Sequence, residues 1–91
     1  MKVYTLLFDR PDGLGVNVYS KEENLIQDVH DFIGELSHYN RCVDIAGKRI
    51  QNSGKHPFED KVLFCSVLCE VNNEQETNED SFFYLEDHEI E

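Results

Sequence analysis

The sequence has little positive charge, and all of it lies in the first two thirds of the chain. Eight Lys and Arg residues stand against nineteen Asp and Glu residues, which gives a formal net charge of -11 and a pI near 4.6. Residues 62–91 hold nine carboxylates and no Lys or Arg. Direct binding to nucleic acid or to an anionic membrane needs a basic surface. The sequence argues against both partners and leaves a basic protein surface as the partner that its charge fits.

Long hydrophobic runs are also absent. No apolar run approaches the roughly 18–20 residues that span a bilayer, and the N-terminus leads directly into strand-like sequence with no signal-peptide pattern. The three cysteines include no Cys-x-x-Cys and fit free, buried thiols in a reducing compartment. We therefore expect a cytoplasmic protein. Its 91 residues, 40% of them apolar, predict one domain over residues 1–91 with a modest core.

The sequence also lacks the residue patterns of an active site. No nucleophile-elbow sequence accompanies the histidines, and the carboxylates do not have the spacing of a calcium loop. Gly13 and Gly15 lie in a hairpin pattern and not between a strand and a helix, as a dinucleotide site requires. Cys65 and Cys69 would be about 13 Å apart in a strand, and they would converge on one metal only if their segment were helical. We expect no enzyme, no cofactor and no metal site.

The first half of the chain contains the clearest local signals. Residues 2–9 are rich in β-branched and aromatic side chains and predict a strand. Residues 10–13, Arg-Pro-Asp-Gly, predict a turn. Residues 14–19 alternate, with Leu14, Val16 and Val18 on one face, and predict a second strand paired with the first as a hairpin.

An amphipathic helix is predicted to follow. Ser20 and Glu23 have the spacing of a capping box, and six apolar residues then recur at helical spacing: Leu25, Ile26, Val29, Phe32, Ile33 and Leu36. The same projection places Asp28, Asp31 and Glu35 on one exposed edge, separated by about 4.5 and 6 Å of helical rise. No Lys or Arg follows Lys21 within this helix.

The second half is less regular. Residues 42–45 alternate and predict a short strand. Residues 62–71 are apolar almost throughout, which fits a buried strand or a short buried helix, and their length and Val content favour the strand. Residues 82–86 would be its antiparallel partner, with an acidic loop at 72–81 and an acidic tail at 86–91. The predicted fold is α+β: an antiparallel sheet of four or five strands with one amphipathic helix on one face, in the order β-β-α-(β)-β-β.

Five basic residues are concentrated in the middle of the chain: Arg41, Lys48, Arg49, Lys55 and Lys61. Two roles fit this segment: neutralising acidic residues of its own chain, or contacting a second copy. A small nucleic-acid patch is a third reading, but no aromatic residues alternate with these charges to support it.

The carboxylates form three clusters, on the helix edge, in the loop and in the tail. They are the predicted partner-binding residues: Asp28, Asp31, Glu35, Glu74, Glu76, Glu79, Asp80, Glu86, Asp87, Glu89 and Glu91. In size, acidity and these clusters the chain resembles the small phage-encoded DNA-mimic proteins, in particular the anti-restriction nuclease inhibitors, with anti-CRISPR proteins as a second match. The resemblance covers the whole chain in composition and length and rests on no sequence motif.

The resemblance implies a function. The chain would inhibit a DNA-binding host defence enzyme, of restriction or CRISPR type, by occupying its DNA-binding site in the host cytoplasm. A homodimer is compatible with this function and would lengthen the acidic array. The alternative is a small regulatory or structural interaction domain whose acidic tail aids solubility or docking. A metal-dependent enzyme that uses the carboxylates is a third, weaker reading.

Overall fold

A computed structural model describes residues 1–75 and 81–90 of the chain. Its elements, in chain order, are β1 (Lys2–Arg10), β2 (Gly13–Tyr19), α1 (Glu22–Gly34), α2 (Tyr39–Asn52), α3 (Lys61–Glu74) and β3 (Phe82–Glu89). The three strands form one antiparallel sheet in the order β2-β1-β3. The predicted α+β class is confirmed. The prediction of four or five strands with a single helix is wrong, because the structure has three strands and three helices among the described residues.

The two apolar segments of the second half are helices and not strands. In α2, the buried residues are Cys42, Ala46 and Ile50, and this four-residue spacing places them on one side of a helix. The predicted strand at residues 42–45 is therefore part of α2. The helix ends at Asn52, and Gly54, two residues later, has a φ of 87°, a left-handed conformation that suits glycine just after a helix C-terminus.

The apolar run at residues 62–71 belongs to α3. The side chain of Asp60 accepts a hydrogen bond from the backbone N–H of Leu63 at 3.0 Å, which caps the first turn of the helix. The 14 residues of α3 are also more than a typical strand contains. Because α3 cannot pair as a strand, β3 pairs with β1 instead, with Leu85 opposite Leu6 and Phe83 opposite Phe8. The predicted pairing of residues 62–71 with residues 82–86 is wrong.

The predicted hairpin at the start of the chain is confirmed. Arg10 pairs with Gly13, whose φ of 142° favours glycine, and the ladder continues to Tyr4 and Tyr19. The predicted capping box is wrong, because α1 begins at Glu22 after an N-cap at Lys21 that has no side-chain capping bond.

The predicted acidic loop and tail are shorter than expected. Residues 72–74 end α3, and residues 86–89 lie in β3. Residues 76–80 and 91 lie outside the described part of the chain.

All three helices lie on one side of the sheet. The buried strand residues on that side are Tyr4, Leu6, Tyr19 and Phe83, and they meet Leu25, Val29 and Ile33 of α1 and Phe64, Cys65 and Leu68 of α3 within one core. α1 packs on β1 and β2, whereas α3 packs on β3. The molecule measures 41 × 37 × 17 Å along its principal axes, so it is a thin plate of two layers. No helix of the described residues is long and apolar enough to cross a bilayer.

Candidate functional site

The solvent-facing side of α1 carries a row of carboxylates. Asp31 and Glu35, the residue that directly follows α1, are exposed and lie away from the buried residues, whereas Asp28 is half-buried and flanks the buried face. Glu23, also exposed, extends this row by about one and a half turns toward the start of the helix. From Glu23 to Glu35 the row covers twelve residues, about 18 Å of helical rise. We call these four residues the α1 row.

Sequence reasoning missed Glu23 because its spacing from Ser20 indicated a capping role. A different signal was present. Glu23, Gln27, Asp31 and Glu35 are each four residues apart, and residues at that spacing lie above one another on one helix face.

Neighbouring side chains orient the α1 row through three contacts. The Tyr19 hydroxyl donates to Asp28 Oδ2 at 2.6 Å, Gln27 Nε2 donates to Asp31 Oδ1 at 2.9 Å, and Arg10 Nη2 donates to Glu35 Oε2 at 3.0 Å. The Arg10–Glu35 contact is an ion pair. Because the Glu35 side chain is exposed, such a pair is worth only about 0–1 kcal/mol. Two members of the row, Glu23 and Asp31, form no ion pair with any residue that the structure describes.

Two titratable neighbours leave the negative charge of the α1 row in place. Burial, together with the hydrogen bond to Asp28, raises the pKa of Tyr19 to about 12. Tyr19 therefore stays protonated and keeps donating at neutral pH. Burial lowers the pKa of His30, against a smaller opposing effect of Asp31. The His30 ring is neutral at neutral pH and adds no positive charge beside the row.

The structure does not join the carboxylates of β3 to the α1 row. Asp87 is 3.4 Å from Lys2, whereas Glu35 pairs with Arg10 at the other end of β1. Lys2 and Arg10 are eight residues apart, about 26 Å along a strand. In addition, β3 lies on the opposite side of β1 from β2, over which α1 packs.

The other predicted partner-binding residues of β3 have local partners. Glu86 lies 3.8 Å from His88, and Glu89 lies 3.8 Å from the amino group of Met1. The Met1–Glu89 contact is an exposed ion pair, and both contacts lie toward the end of the sheet where β1 begins.

Glu74, at the end of α3, is neutralised by its own chain. Arg49 of α2 donates to Glu74 Oε2 at 2.6 Å, and this hydrogen bond raises the pKa of Arg49. The contact supports the first role predicted for the basic segment, the neutralisation of acidic residues in the same chain. The remaining predicted residues, Glu76, Glu79, Asp80 and Glu91, lie outside the described residues and stay predictions.

The three cysteines are free and buried, as predicted. Cys65 and Cys69 lie one turn apart in α3, so the helical condition for their convergence is met. However, burial raises the pKa of both thiols to about 12, and a protonated thiol is a poor metal ligand and nucleophile. Within residues 1–75 and 81–90, no group of three or more His, Cys, Asp and Glu residues could hold a metal ion.

The side of the sheet that faces away from the helices is apolar and exposed. Its largest exposed side chains, with their exposed fractions, are Leu7 (45%), Leu14 (75%), Val16 (58%), Val18 (68%) and Tyr84 (48%). We call these five residues the open face. None of the helices that the structure describes covers it.

The alternation of β2 correctly predicted that Leu14, Val16 and Val18 share a face, but it did not show which face is buried. The side of β2 that faces the helices carries Gly15 and the buried Tyr19. The Phe8 ring lies over Gly15 so closely that a Cβ at this position would be 2.4 Å from two ring atoms. The opposite side carries Leu14, Val16 and Val18 and is exposed.

A smaller apolar cleft of about 350 Å³ lies among the helices. It is lined by Ile26 and His30 of α1, Val43 of α2, Phe64 of α3 and the preceding Phe58. The Phe58 ring is 74% exposed and stacks on Phe64 with a centroid distance of 6.3 Å. The cleft has room for an apolar side chain.

No family model matches this chain, and neither a curated protein nor a solved structure matches it. We therefore infer a function from the charges and surfaces of the molecule alone.

Proposed function

We propose that the protein inhibits a DNA-binding partner by occupying that partner's DNA-binding site with its own carboxylates. The target class is a nuclease of a host defence system, of restriction or CRISPR type. The α1 row is the observation that supports this function. Four carboxylates over about 18 Å are separated by about 6 Å of helical rise on average, compared with one phosphate per 3.4 Å of axis on a DNA strand. A groove lined with Lys and Arg for DNA would meet a line of negative charge at a little over half the density of one DNA strand.

The net charge of -11 strengthens this function through long-range attraction. It speeds the encounter with a basic groove, and this attraction weakens as salt is added. His30 is neutral at neutral pH, and Arg10 offsets Glu35 through an exposed pair, so most of the charge of the row is available to a partner.

The carboxylates of β3 have a separate place in this proposal. Glu86, Asp87 and Glu89 lie at another edge of the sheet from the α1 row, so they would contact a second part of the partner or remain in solvent. The proposal locates the protein in the cytoplasm with its target and allows a homodimer, which would present two α1 rows.

The experiment compares two triple variants with the same change in net charge. One variant neutralises the α1 row with the substitutions Glu23→Gln, Asp31→Asn and Glu35→Gln. The matched control neutralises three exposed carboxylates outside α1 with Asp12→Asn, Asp44→Asn and Glu59→Gln. Each protein is titrated into DNA-cleavage reactions with a panel of purified restriction and CRISPR nucleases. Displacement of a labelled DNA duplex from each nuclease is measured in parallel by fluorescence anisotropy.

We expect the α1 variant to require a concentration at least about tenfold higher than the unmodified protein for the same inhibition. For the control variant this concentration should change by less than about threefold. Inhibition should also weaken on the order of tenfold between roughly 0.05 and 0.3 M salt. Equal losses in the two variants would show that total charge matters and the row does not. No inhibition across the panel, or an affinity independent of salt, would contradict the proposal.

A further inference from the structure

We infer that two copies of this chain associate through their open faces to form a homodimer in which two three-stranded sheets pack against each other. This inference rests on the open face and not on the target of the α1 row. It specifies the dimer interface that the proposed function leaves open.

Exposed apolar surface is concentrated on the open face. The described residues include eight large hydrophobic side chains that are exposed, and five of them form this face. At about 150–250 Å² for a fully exposed residue of these types, their exposed fractions amount to roughly 500 Å². The largest apolar patch on a typical monomer is about 300–600 Å² and often marks an interaction site. The open face is therefore near the upper end for a chain of only 91 residues.

The area also suits a dimer. A stable interface buries about 800 Å² per partner, and half-buried residues adjoin the open face on β1 and β3: Val3, Thr5 and Phe82. These residues extend the contact area beyond the five side chains of the open face, and the exposed Asp9 and Glu86 lie at its rim. Two antiparallel sheets pack face to face at about 10 Å, with side chains from the two faces interdigitating.

The apolar centre of the open face suits a second copy as the occupant, because its five side chains carry no charge and fit an equally apolar surface. Asp9, Glu86 and His88 flank these residues, and the two carboxylates stay in solvent at the rim. The strongly charged side of the molecule is the helical side. In the dimer the two helical sides face outward, separated by two molecules that are each 17 Å through their thinnest dimension. This separation is several times the Debye length of about 8 Å at physiological salt, so repulsion between the two helical sides is screened.

The state of association is measured by sedimentation velocity over about 1 to about 200 μM protein. The test variants are Val16→Lys and, as a second substitution in case one alters folding, Leu14→Lys. Phe58→Lys is the matched control, because Phe58 is equally apolar and 74% exposed but lies on the helical side. Circular dichroism and a thermal melt confirm that each variant is folded.

We expect the unmodified protein and Phe58→Lys to form dimers within this range, and both open-face variants to weaken the dimer at least about tenfold. Added salt should leave the dimer unchanged or tighten it, because it screens repulsion between the acidic copies. This response is opposite to that of target binding.

Three results would overturn the inference. They are a monomer at the highest concentration, a dimer that neither open-face variant weakens, and a dimer that Phe58→Lys weakens as much as Val16→Lys does. If the unmodified protein is a dimer but inhibits no nuclease of the panel, the proposed function alone is overturned. If the unmodified protein inhibits a nuclease but stays a monomer at the highest concentration, the dimer alone is overturned.

Discussion

One side chain joins the end of α3 to the start of β3, and its removal should destabilise the whole fold. Asn73 Nδ2 donates to the backbone carbonyl of Phe83 at 2.8 Å, and its Oδ1 accepts from the backbone N–H of Phe83 at 3.0 Å. The side-chain amide thus satisfies the two polar groups that Phe83 turns away from β1. Because Phe83 is only 1% exposed, water cannot easily replace Asn73 after an Asn73→Ala substitution.

The expected loss can be estimated from these two bonds. Each intramolecular hydrogen bond contributes about 1 kcal/mol net, and a buried group left without a partner costs about 1–3 kcal/mol. Asn73→Ala should therefore lower the free energy of unfolding by about 2–4 kcal/mol, a large part of the 5–15 kcal/mol typical of a natural domain. The free energy of unfolding of Asn73→Asp should lie between those of the unmodified protein and Asn73→Ala. Asp keeps the acceptor for the Phe83 N–H but loses the donor to the Phe83 carbonyl.

Urea unfolding followed by circular dichroism measures this change. The matched control is Asn24→Ala, an exposed asparagine on α1, for which we expect a change within about 0.5 kcal/mol. Hydrogen exchange of the Phe83 amide should also accelerate in Asn73→Ala. The reasoning is refuted if Asn73→Ala costs no more than Asn24→Ala, or if exchange at Phe83 is unchanged.

Two further predictions concern packing and pH. Gly15→Ala should lower the free energy of unfolding by about 1–3 kcal/mol, because the added Cβ would overlap the Phe8 ring. Urea unfolding measures this loss, which should be smaller when the same substitution is made in a Phe8→Leu variant. An equal loss in that variant would contradict the overlap. Stability should also fall as pH drops below about 6.5, because burial lowers the pKa of folded His30 and the unfolded imidazole protonates first. In urea unfolding at a series of pH values, the free energy of unfolding should depend less on pH in His30→Gln than in the unmodified protein. Substitution of the exposed His56 by Gln should leave that pH dependence unchanged, and equal effects of the two substitutions would exclude His30 as the cause.

The predictable parts of the fold were those with a local signal. The hairpin follows from Pro11, Asp12 and Gly13 between two strand-like segments, and α1 follows from its apolar period. The same period predicts Asp28, Asp31 and Glu35 on one exposed edge; Asp31 and Glu35 are exposed, whereas Asp28 is half-buried beside Tyr19. The α2 helix had a readable signal as well, in the spacing of Cys42, Ala46 and Ile50.

The errors occurred where a local pattern fits two structures. An apolar run is compatible with a buried strand or a buried helix, and the Asp60 cap that favours a helix at residues 62–71 lies just before that run. A strand at residues 62–71 would be the natural antiparallel partner of β3, which explains the wrong pairing. The real partner is β1, about 80 residues away in the chain.

The sequence alone determined the charge of this protein, its hairpin, its first helix and the exposed side of that helix. These features depend on residues a few positions apart, whose backbone preferences and hydrophobic spacing act without the rest of the chain. Only the tertiary structure decided which face of β2 is buried, because that choice depends on the side of the sheet on which the helices pack. The tertiary structure also paired Glu35 with Arg10 and Glu74 with Arg49, since ion pairs between distant segments form only when the core brings their elements together.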